Sequence, residues 1–412
     1  MLKRNTSFVI ISSGQPCGNP RMVKEAIALR QAGNQIKVIY CPLSPWGDAF
    51  DQELFQENHS IEWIRVGAHP IHQKRAFFWC RIRKKVWEWV YRVFGDVCDA
   101  SLKSSVLFSQ ELRKAAVSQK AQIYIGHNLG SIGAVRAAAT KFKGKACFDF
   151  EDYHRGEDVE NSFHWQRVKQ IEDKYIPWLN TATASSPLIR EAYQTNYSEI
   201  KIKSILNVFP KPEIDHFVSS DSSCLSLFWF SQFVGWGRGF EQIIHAAAHL
   251  SPQPTITLLG NCSDQMKHEL LVFSQESGFD GEKLIFKGAI PANKIPLEAA
   301  KHHIGICSED PETLNRDLCL TNKVFTYMSS KNALLLSNTK SQERFLKENP
   351  GIGQLYNNND IDALVRVLQC YQSDRALLEK HRVTAYQLSQ ETFNWENEQQ
   401  KLLSFYAQLT TE

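Results

Sequence analysis

The sequence predicts an α/β protein built from two doubly wound, Rossmann-like units in tandem. Short apolar runs of strand length alternate with longer stretches of helical periodicity, which is typical of parallel sheets covered by helices. The alternation occurs in two series, and Pro210 and Pro212 interrupt it in the segment 207–213. A chain of 412 residues is long enough for two such units.

The first series begins with an apolar run, a loop containing glycine and proline, and a helix. Strands are predicted at 8–11, 35–40, 61–66, 123–126 and 146–150, and helices at 21–32, 104–118 and 131–141. Because helices separate the strands, a parallel sheet is expected. This series forms a predicted N-terminal domain at 1–207.

The second series has the same alternation. Strands are predicted at 225–230, 255–259, 283–286, 303–307 and 333–337, with a helix at 240–250. It forms a predicted C-terminal domain at 208–393. Ligands of doubly wound sheets bind at the carboxyl ends of the strands, so a ligand site is expected there, in a central cleft that the two domains face.

Composition narrows the class of protein. The net charge of +3 is too small for a nucleic-acid partner. Ten cysteines without a CxxC pair argue against a disulfide framework or a zinc site. No metal and no cofactor are expected. The apolar run at 8–11 is too short for a signal peptide, which favours a cytoplasmic location.

Two segments of the second series are predicted to bind an anion. Thr321 and Asn322 are good helix N-cap residues, and Lys323 falls in the first helical turn that follows. A glycine-rich turn after the first strand contains Arg238 and Gly239, and a guanidinium there can form two hydrogen bonds to phosphate. An ordinary capped surface helix is the alternative explanation of the first segment.

The first series has polar side chains where strands end. His127 closes one predicted strand, and Asp149, Glu151 and Asp152 surround the end of the next. We expect the three carboxylates to hold hydroxyl groups of a substrate, with a solvated acidic turn as the alternative. The alternative for His127 is a structural histidine. In the loop 12–19, Gly14 and Gly18 would let backbone approach a ligand, although G-x-G-x-x-G spacing is lacking, which disfavours an NAD-dependent oxidoreductase.

The segment 74–94 is predicted to be a basic, aromatic, amphipathic helix. Its apolar arc includes Phe78, Trp79 and Trp89, and its basic arc includes Arg81, Lys84 and Lys85. Such a helix can lie in an anionic membrane surface, and it is too charged to span a bilayer. The alternative is a core-packed helix with a solvated basic side.

Seven segments in order resemble GT-B-fold glycosyltransferases of the retaining family 4 type, which build bacterial surface polysaccharides. They are Gly-Asn-Pro-Arg21, Gly126-His127-Asn128, Phe148-Asp149, 204–207, Arg238-Gly239-Phe240-Glu241, Asn322-Lys323-Val-Phe-Thr-Tyr327 and Phe393-Asn-Trp395-Glu396. The resemblance implies an acceptor-binding N-terminal domain, a C-terminal domain binding a nucleotide-sugar, and a last helix at about 394–412 packing back on the first domain.

The resemblance also implies a function. The chain would transfer a sugar from a UDP- or GDP-sugar to a glycan or lipid-linked acceptor with retention of configuration, in the cytoplasm or on the inner face of the plasma membrane. Arg238, Gly239, Asn322 and Lys323 would bind the donor, together with Gly14 and Gly18. His127, Asp149, Glu151 and Asp152 would act near the sugar and acceptor, and segment 74–94 would contact the acceptor or the membrane.

One departure from the family pattern affects the donor site. Thr326 stands where the family usually has a glutamate that holds the ribose of the nucleotide. Its hydroxyl offers a weaker, neutral hydrogen bond, and Glu309 or Glu312 is expected to supply a carboxylate instead. The alternative function is therefore a non-catalytic protein of the same fold that binds a nucleotide-sugar or glycan.

Overall fold

A computed structural model describes residues 4–219 and 224–409. The chain divides into two compact units at Leu206/Asn207, and the segment from Gln399 onward belongs to the first unit. Each unit is an α/β layer structure with its own sheet. The end of the predicted C-terminal helix, residues 410–412, lies outside the described residues.

The first unit contains a seven-stranded sheet in its described residues. Strand order is β3-β2-β1-β4-β5-β6-β7, and all pairs are parallel. The strands are β1 (Ser7–Ser12), β2 (Gln35–Tyr40), β3 (Glu62–Arg65), β4 (Ile123–His127), β5 (Lys145–Phe150), β6 (Thr181–Ala184) and β7 (Ile202–Ser204). The helices are α1 (Pro20–Gln31), α2 (Asp48–Glu57), α3 (Lys74–Phe94), α4 (Ala100–Ser105), α5 (Ser109–Ala116), α6 (Ile132–Phe142), α7 (Phe163–Tyr175) and α8 (Pro187–Asn196).

The second unit contains a six-stranded parallel sheet in its described residues. Strand order is β10-β9-β8-β11-β12-β13. The strands are β8 (Ser226–Phe233), β9 (Thr255–Asn261), β10 (Leu284–Lys287), β11 (Ile304–Cys307), β12 (Ala333–Ser337) and β13 (Gly353–Tyr356). The helices are α9 (Phe240–Ala248), α10 (Asp264–Glu276), α11 (Ile295–Ala299), α12 (Leu314–Leu318), α13 (Asn322–Ser329), α14 (Lys340–Glu348), α15 (Ile361–Ser373) and α16 (Arg375–Glu391). The last helix, α17 (Trp395–Leu409), begins in this unit and belongs to the first unit from Gln399 onward.

Local sequence explains where several helices begin. Asn19 caps α1 by accepting a hydrogen bond from the N–H of Met22, and Pro20 occupies the first helical position. Ser186 caps α8 in the same way, with Pro187 after it. The strands between these helices are buried on both faces, which accounts for their continuous apolar runs.

Both sheets reverse their strand order beside the first strand of the unit. The chain first builds outward from β1 to β3 and then crosses to β4, and in the second unit it builds from β8 to β10 and crosses to β11. The crevice beyond the carboxyl ends of two such strands is the usual ligand site of doubly wound sheets. In the first unit the last residue of β1, Ser12, pairs with His127, and His127 pairs with Asp149.

The predicted α/β class and the two Rossmann-like, doubly wound units are confirmed. One helix predicted at 104–118 is wrong, because the chain leaves the helix at Val106 and forms α4 and α5 instead. Three further strands, β6, β7 and β13, were not predicted. They contain only three or four residues each, which is too short for a periodicity to emerge.

Candidate functional site

The loop after β8 is shaped by glycine. Gly237 and Gly239 have φ values of 72° and 78°, in the left-handed region that other residues rarely adopt. A Cβ atom on Gly239 would lie 2.7 Å from the carbonyl oxygen of Ser308. The Ser308 hydroxyl donates to the carbonyl oxygen of Arg238 at 2.7 Å. The loops that follow β8 and β11 are therefore packed closely together and joined by a hydrogen bond.

This contact holds Arg238 at the point where the strand order reverses. The Arg238 side chain is exposed, and it forms no ion pair with any residue that the structure describes. Gly237 donates its N–H to the Glu241 carboxylate at 2.6 Å, which closes the turn before α9. An exposed guanidinium on a fixed turn is suited to an anionic ligand.

Lys323 and Glu309 form an ion pair beside this turn. The Lys323 ammonium lies 2.6 Å from Glu309 Oε1, and the two side chains are 13% and 18% exposed. The ammonium also lies 5.5 Å from the centre of the Trp229 ring. Lys323 belongs to the first turn of α13, and Glu309 follows β11. The predicted cation and one predicted carboxylate are thus brought together.

Three positively charged side chains lie near the Glu309 carboxylate. Its burial opposes ionisation, but the charge and hydrogen bond of Lys323 outweigh it, with Arg316 and Arg238 also close enough to contribute. Together they hold the pKa of Glu309 below its ordinary value. Arg316 is paired in turn with Glu312 at 2.8 Å, so the second predicted carboxylate, Glu312, serves a different partner.

The backbone of Glu309 is fixed by the neighbouring strand. The Ser337 hydroxyl accepts the N–H of Glu309 at 3.1 Å and donates to its carbonyl oxygen at 2.7 Å. The Asn358 amide donates to the same carbonyl at 3.1 Å. These three hydrogen bonds place the carboxylate at the carboxyl edge of the sheet.

Thr326 is poorly placed to hold a ribose. Its side chain is 1% exposed, and its hydroxyl donates to the carbonyl oxygen of Asn322 at 3.0 Å within the same helix. The geometry is therefore against the hydrogen bond that the sequence allowed Thr326 to make with a ligand. Asn322, the first residue of α13, is only partly buried and remains a predicted donor contact.

In the first unit, His127 lies between two carboxylates. Its Nε2 is 2.6 Å from Glu25 Oε2, and its Nδ1 is 3.6 Å from Asp149 Oδ2. Burial opposes the imidazolium form, but the hydrogen bond and charge of Glu25, with Asp149 and Glu151 nearby, outweigh it and raise the pKa of His127. His127 is only 1% exposed, so this network orients the ring from within.

Asp149 is held by a buried arginine. Arg21 Nε and Nη2 each lie 2.7 Å from one Asp149 oxygen, the bidentate geometry that makes such pairs strong. The Thr183 hydroxyl donates to the same carboxylate, and Arg21 also donates to the carbonyl oxygen of Ile205. Although burial opposes ionisation, Arg21 keeps the pKa of Asp149 below its ordinary value. The catalytic role expected of Asp149 stays a prediction, and its observed contacts are those of a support.

Glu151 and Asp152 are the more accessible acids of this segment. Both are half-buried in the loop after β5. Burial, followed by the charges of Asp152 and Asp149, raises the pKa of Glu151 to about 7. Burial and the charge of Arg21 lower the pKa of neighbouring Lys24 to about 7. Glu151 can therefore accept or donate a proton near neutral pH.

The two glycines predicted in the loop after β1 have different surroundings. Gly14 donates its N–H to Ser12 Oγ at 3.0 Å, and a Cβ there would lie 3.1 Å from Asn128 Oδ1. Gly18 ends a short 3₁₀ turn, and a Cβ there would meet nothing within 4 Å. Both belong to the first unit, whereas Arg238 and Lys323 belong to the second. Their donor-binding role stays a prediction.

Helix α3 exposes its apolar face. Phe78, Trp79 and Trp89 are 58%, 66% and 58% exposed, and no residue of the helix is fully buried. Arg81 and Lys85 are exposed as well, whereas Lys84 is half-buried. The core-packed alternative is therefore wrong. Among the helices of residues 4–219 and 224–409, none combines the length and the low polarity that crossing a membrane requires.

One cluster in the described residues has the side chains of a metal site. Potential ligand atoms of Asp48, His69 and His72 lie within 4.8 Å of one another. However, His69 Nδ1 accepts the backbone N–H groups of Ile71 and His72, so the proton sits on Nε2, which lies 2.9 Å from Asp48 Oδ2. A metal on Nε2 would move that proton to Nδ1, against two N–H groups. This arrangement favours a His–Asp hydrogen bond.

Sequence reasoning missed Arg21 and Glu25 as site residues. They stand four residues apart, hence on one face of α1, the helix that leaves the switch point. Two charged residues on the face of α1 that packs against the sheet were the signal available in the sequence. A buried charge requires a partner of opposite charge, so this pattern indicates a buried ion-pair network. The partners, His127 and Asp149, are more than 100 residues away, as the separations of 102 and 128 residues record.

Comparisons with known proteins identify the fold. No family model matches the sequence, and neither does any curated protein. Among solved structures, sucrose-phosphate synthase from Thermosynechococcus elongatus aligns with a TM-score of 0.69 at 14% identity, covering 99% of this chain and 100% of the other. HepE of Anabaena, solved with UDP, aligns at 0.68 and 13%, covering 98% and 100%. A glycosyltransferase from Rickettsia africae aligns at 0.68 and 15%, covering 99% of each chain.

These alignments extend over almost the whole of each chain. They show that the chain has the GT-B fold of glycosyltransferases, with two Rossmann-like domains. HepE was also solved with UDP-glucose. A mutant of TarM from S. aureus was solved with fondaparinux, alpha-GlcNAc-glycerol and UDP; it aligns at 10% identity with a TM-score of 0.67, covering 96% of this chain and 99% of the other. At such identities the likeness concerns the fold.

Proposed function

We propose that this GT-B protein is a glycosyltransferase that moves a sugar from a nucleotide-sugar, a UDP- or GDP-sugar, to a glycan or lipid-linked acceptor. The observation that carries the proposal is the convergence of Arg238, Lys323 and Glu309 where the second sheet reverses its strand order. Retention of configuration and a role in surface-polysaccharide synthesis are part of the proposal, and they rest on the sequence resemblance. The UDP and UDP-glucose complexes of HepE support this class of donor.

The diphosphate would be bound by Arg238, Lys323 and the N-terminus of α13. Charge accumulates on the diphosphate as the bond to the sugar breaks, so cations fixed in advance stabilise the transition state more than the ground state. The Arg238 guanidinium is exposed on a turn that Gly239 and Ser308 hold in place. Lys323 is held ready by its ion pair with Glu309.

Glu309 would replace the carboxylate that the sequence lacks at Thr326. When phosphate oxygens take over the Lys323 ammonium, the Glu309 carboxylate becomes available to hydroxyl groups of the ribose or sugar. Its backbone is fixed by Ser337 and Asn358, so the carboxylate keeps its place during this exchange. The two cations would thus bind the diphosphate of a nucleotide-sugar, and the carboxylate beside them would bind its hydroxyl groups.

The first unit would orient the acceptor. Glu151 and Asp152 are accessible enough to contact an acceptor hydroxyl, and Glu151 titrates near neutral pH. His127 and Asp149 lie behind them, and Arg21 and Glu25 fix their orientation. We assign the direct acceptor contacts to Glu151 and Asp152, and the contacts near the sugar to His127 with Asp149 as its support.

The exposed face of α3 would contact an anionic membrane surface. Two tryptophans and a phenylalanine project from one arc, and Arg81, Lys85 and Arg92 lie along its edge. Interfacial helices combine such aromatic burial with electrostatic attraction to anionic lipids. A protein docked in this way at the inner face of the plasma membrane would have access to lipid-linked acceptors.

A second candidate function is binding of a nucleotide-sugar or glycan without catalysis. Thr326 favours it, because its buried hydroxyl cannot replace the ribose-binding glutamate of the family. Thermal unfolding with UDP-, GDP-, ADP-, CMP- and dTDP-sugars and with NAD tests binding, since a ligand of the folded state raises the melting temperature. An assay for release of nucleoside diphosphate, in the presence of an extract that contains acceptors, then separates a transferase from a non-catalytic binding protein. Stabilisation by one donor with its turnover supports the transferase, stabilisation alone supports the binding protein, and no response to any nucleotide-sugar contradicts both.

A further inference from the structure

We infer that Tyr406, on the C-terminal helix, is a positioning residue that fixes the orientation and protonation of His127 through Glu25. This inference rests on the proposed function for its effect on catalysis. The Tyr406 hydroxyl donates to Glu25 Oε1 at 2.6 Å, and Glu25 Oε2 lies 2.6 Å from His127 Nε2. One carboxylate therefore joins the last helix of the chain to a predicted site residue.

Glu25 provides the hydrogen bond that orients the imidazole of His127. The other ring nitrogen, Nδ1, is buried, and no described residue forms a hydrogen bond with it. It faces Asp149 Oδ2 at 3.6 Å, and both Asp149 oxygens are already engaged by Arg21. With Nε2–H donating to Glu25, only the imidazolium carries a second proton that can face Asp149.

Tyr406 and His127 share the carboxylate of Glu25. All three side chains are buried, and each partner contacts a different carboxylate oxygen. The hydroxyl also limits rotation of the carboxylate, so Oε2 stays directed at His127. The charged and titratable groups around the ring and its partner Glu25 include Arg21, Asp149, Glu151, Tyr406 and Cys147. Without the hydroxyl, the Glu25 carboxylate interacts more strongly with the His127 proton, because the Tyr406 donor no longer shares its charge.

Replacing Tyr406 with phenylalanine tests this role because the ring is retained. The ring packs edge-on against Phe8, with centroids 6.1 Å apart, so Tyr406→Phe keeps the apolar contact. We expect the NMR titration of the His127 ring to shift upward by at least about half a pH unit. We also expect kcat to fall about tenfold with a KM for donor within about twofold of wild type, because only orientation is lost.

Tyr124, on the strand β4 that ends at His127, supplies a matched control. It is fully buried, and its hydroxyl donates to the carbonyl of Gln119 and accepts the N–H of Ala121. Tyr124→Phe should leave the His127 titration unchanged. An unchanged titration in Tyr406→Phe, or an equal shift in Tyr124→Phe, would overturn the inference. Absence of sugar transfer by the wild type would refute the proposed function instead, and the titration would still decide the role of Tyr406.

Discussion

Lys323 and Glu309 form an ion pair at the carboxyl edge of the second sheet, with 2.6 Å between Nζ and Oε1. The pair lies where the strand order reverses between β8 and β11, beside the turn that carries Arg238. Two cations and one carboxylate are therefore arranged before any ligand arrives. Enzymes that stabilise a departing phosphate do so mainly with charged groups that are already in position.

Substituting Glu309 with glutamine should affect two measurements in opposite directions. The substitution releases Lys323, so the affinity for UDP or GDP alone should rise about threefold to fivefold, as expected for an ion pair worth up to about 1 kcal/mol. Turnover of the nucleotide-sugar should fall at least about tenfold, because a charge-assisted hydrogen bond to the donor is lost. Calorimetry and a nucleotide-release assay measure the two effects.

Glu312→Gln is the control for this prediction. Glu312 lies on the same loop but pairs with Arg316, at 2.8 Å, and is mostly exposed. Glu312→Gln should leave nucleotide affinity and turnover within about twofold of wild type. An equal loss of affinity and turnover in Glu309→Gln would mean that Glu309 supports the fold of the loop and does not compete for Lys323.

Replacing Gly239 with alanine should damage the proposed donor site more than a matched glycine substitution elsewhere. Gly239 and Gly278 share a φ of 78°, but a Cβ on Gly239 meets Ser308 at 2.7 Å, whereas a Cβ on Gly278 meets nothing within 4 Å. Both variants carry the left-handed backbone cost of about 1–2 kcal/mol. Gly239→Ala should lose more than this in urea unfolding and also lose donor affinity, because the turn bearing Arg238 must move. Equal destabilisation of the two variants would refute the steric explanation.

The raised pKa of Glu151 predicts a dependence of stability on pH. Because burial and the charges of Asp152 and Asp149 raise its pKa from the ordinary 4.5 to about 7, the folded state binds more protons than the unfolded state between these values. The free energy of unfolding therefore falls as pH rises through this window. Nearby Arg21, His127 and Lys24 moderate the effect. Glu151→Gln should remove this loss and gain stability relative to wild type at pH 8.

Urea unfolding at pH 5 and pH 8 measures this effect, and Glu160→Gln serves as its control. Glu160 is an exposed carboxylate in the same segment. The control should follow the wild-type pH dependence. If Glu151→Gln also follows it, Glu151 is not the group that titrates, and its assignment as the acceptor contact loses its chemical basis.

Substitutions on α3 should weaken membrane binding without affecting the fold. Trp79→Ser and Trp89→Ser remove side chains that are 66% and 58% exposed, so unfolding should change by no more than about 0.5 kcal/mol. Binding to vesicles containing phosphatidylglycerol should fall at least about fivefold for each. Trp178→Ser, a tryptophan of similar exposure outside α3, is the control. Equal losses for all three, or no binding by wild type, would contradict a docking role for α3.

The sequence predicted the framework of the fold because buried parallel strands are continuous apolar runs. Runs such as those of β1, β4 and β12 are recognisable locally, and the residues just after them are placed by topology alone. Arg238 and Gly239 were predicted as donor-site residues in this way, and Lys323 was predicted from the N-cap residues Thr321 and Asn322 before it. The short strands β6 and β7 were missed since four and three residues carry no periodicity.

Pairings between side chains that are distant in the chain could not be predicted from the sequence. Nothing local indicates that Lys323 is paired with Glu309, that Arg21 holds Asp149, or that Tyr406 reaches Glu25 across 381 residues. The accessibility of α3 was equally undecided, because the same amphipathic pattern describes a packed helix and an exposed one. Tertiary structure decides each of these points.

Calorimetric titration of UDP, UMP, GDP and GMP into wild type and the Arg238→Ala/Lys323→Ala double variant tests nucleotide-sugar binding most directly. We predict that one diphosphate binds wild type at least about tenfold more tightly than its monophosphate, and that the double variant loses this preference. Lys340→Ala, which removes an exposed lysine paired with Asp317, should retain it. Diphosphate binding that survives in the double variant, or that is absent from wild type, would contradict the assignment of this cluster as the donor site.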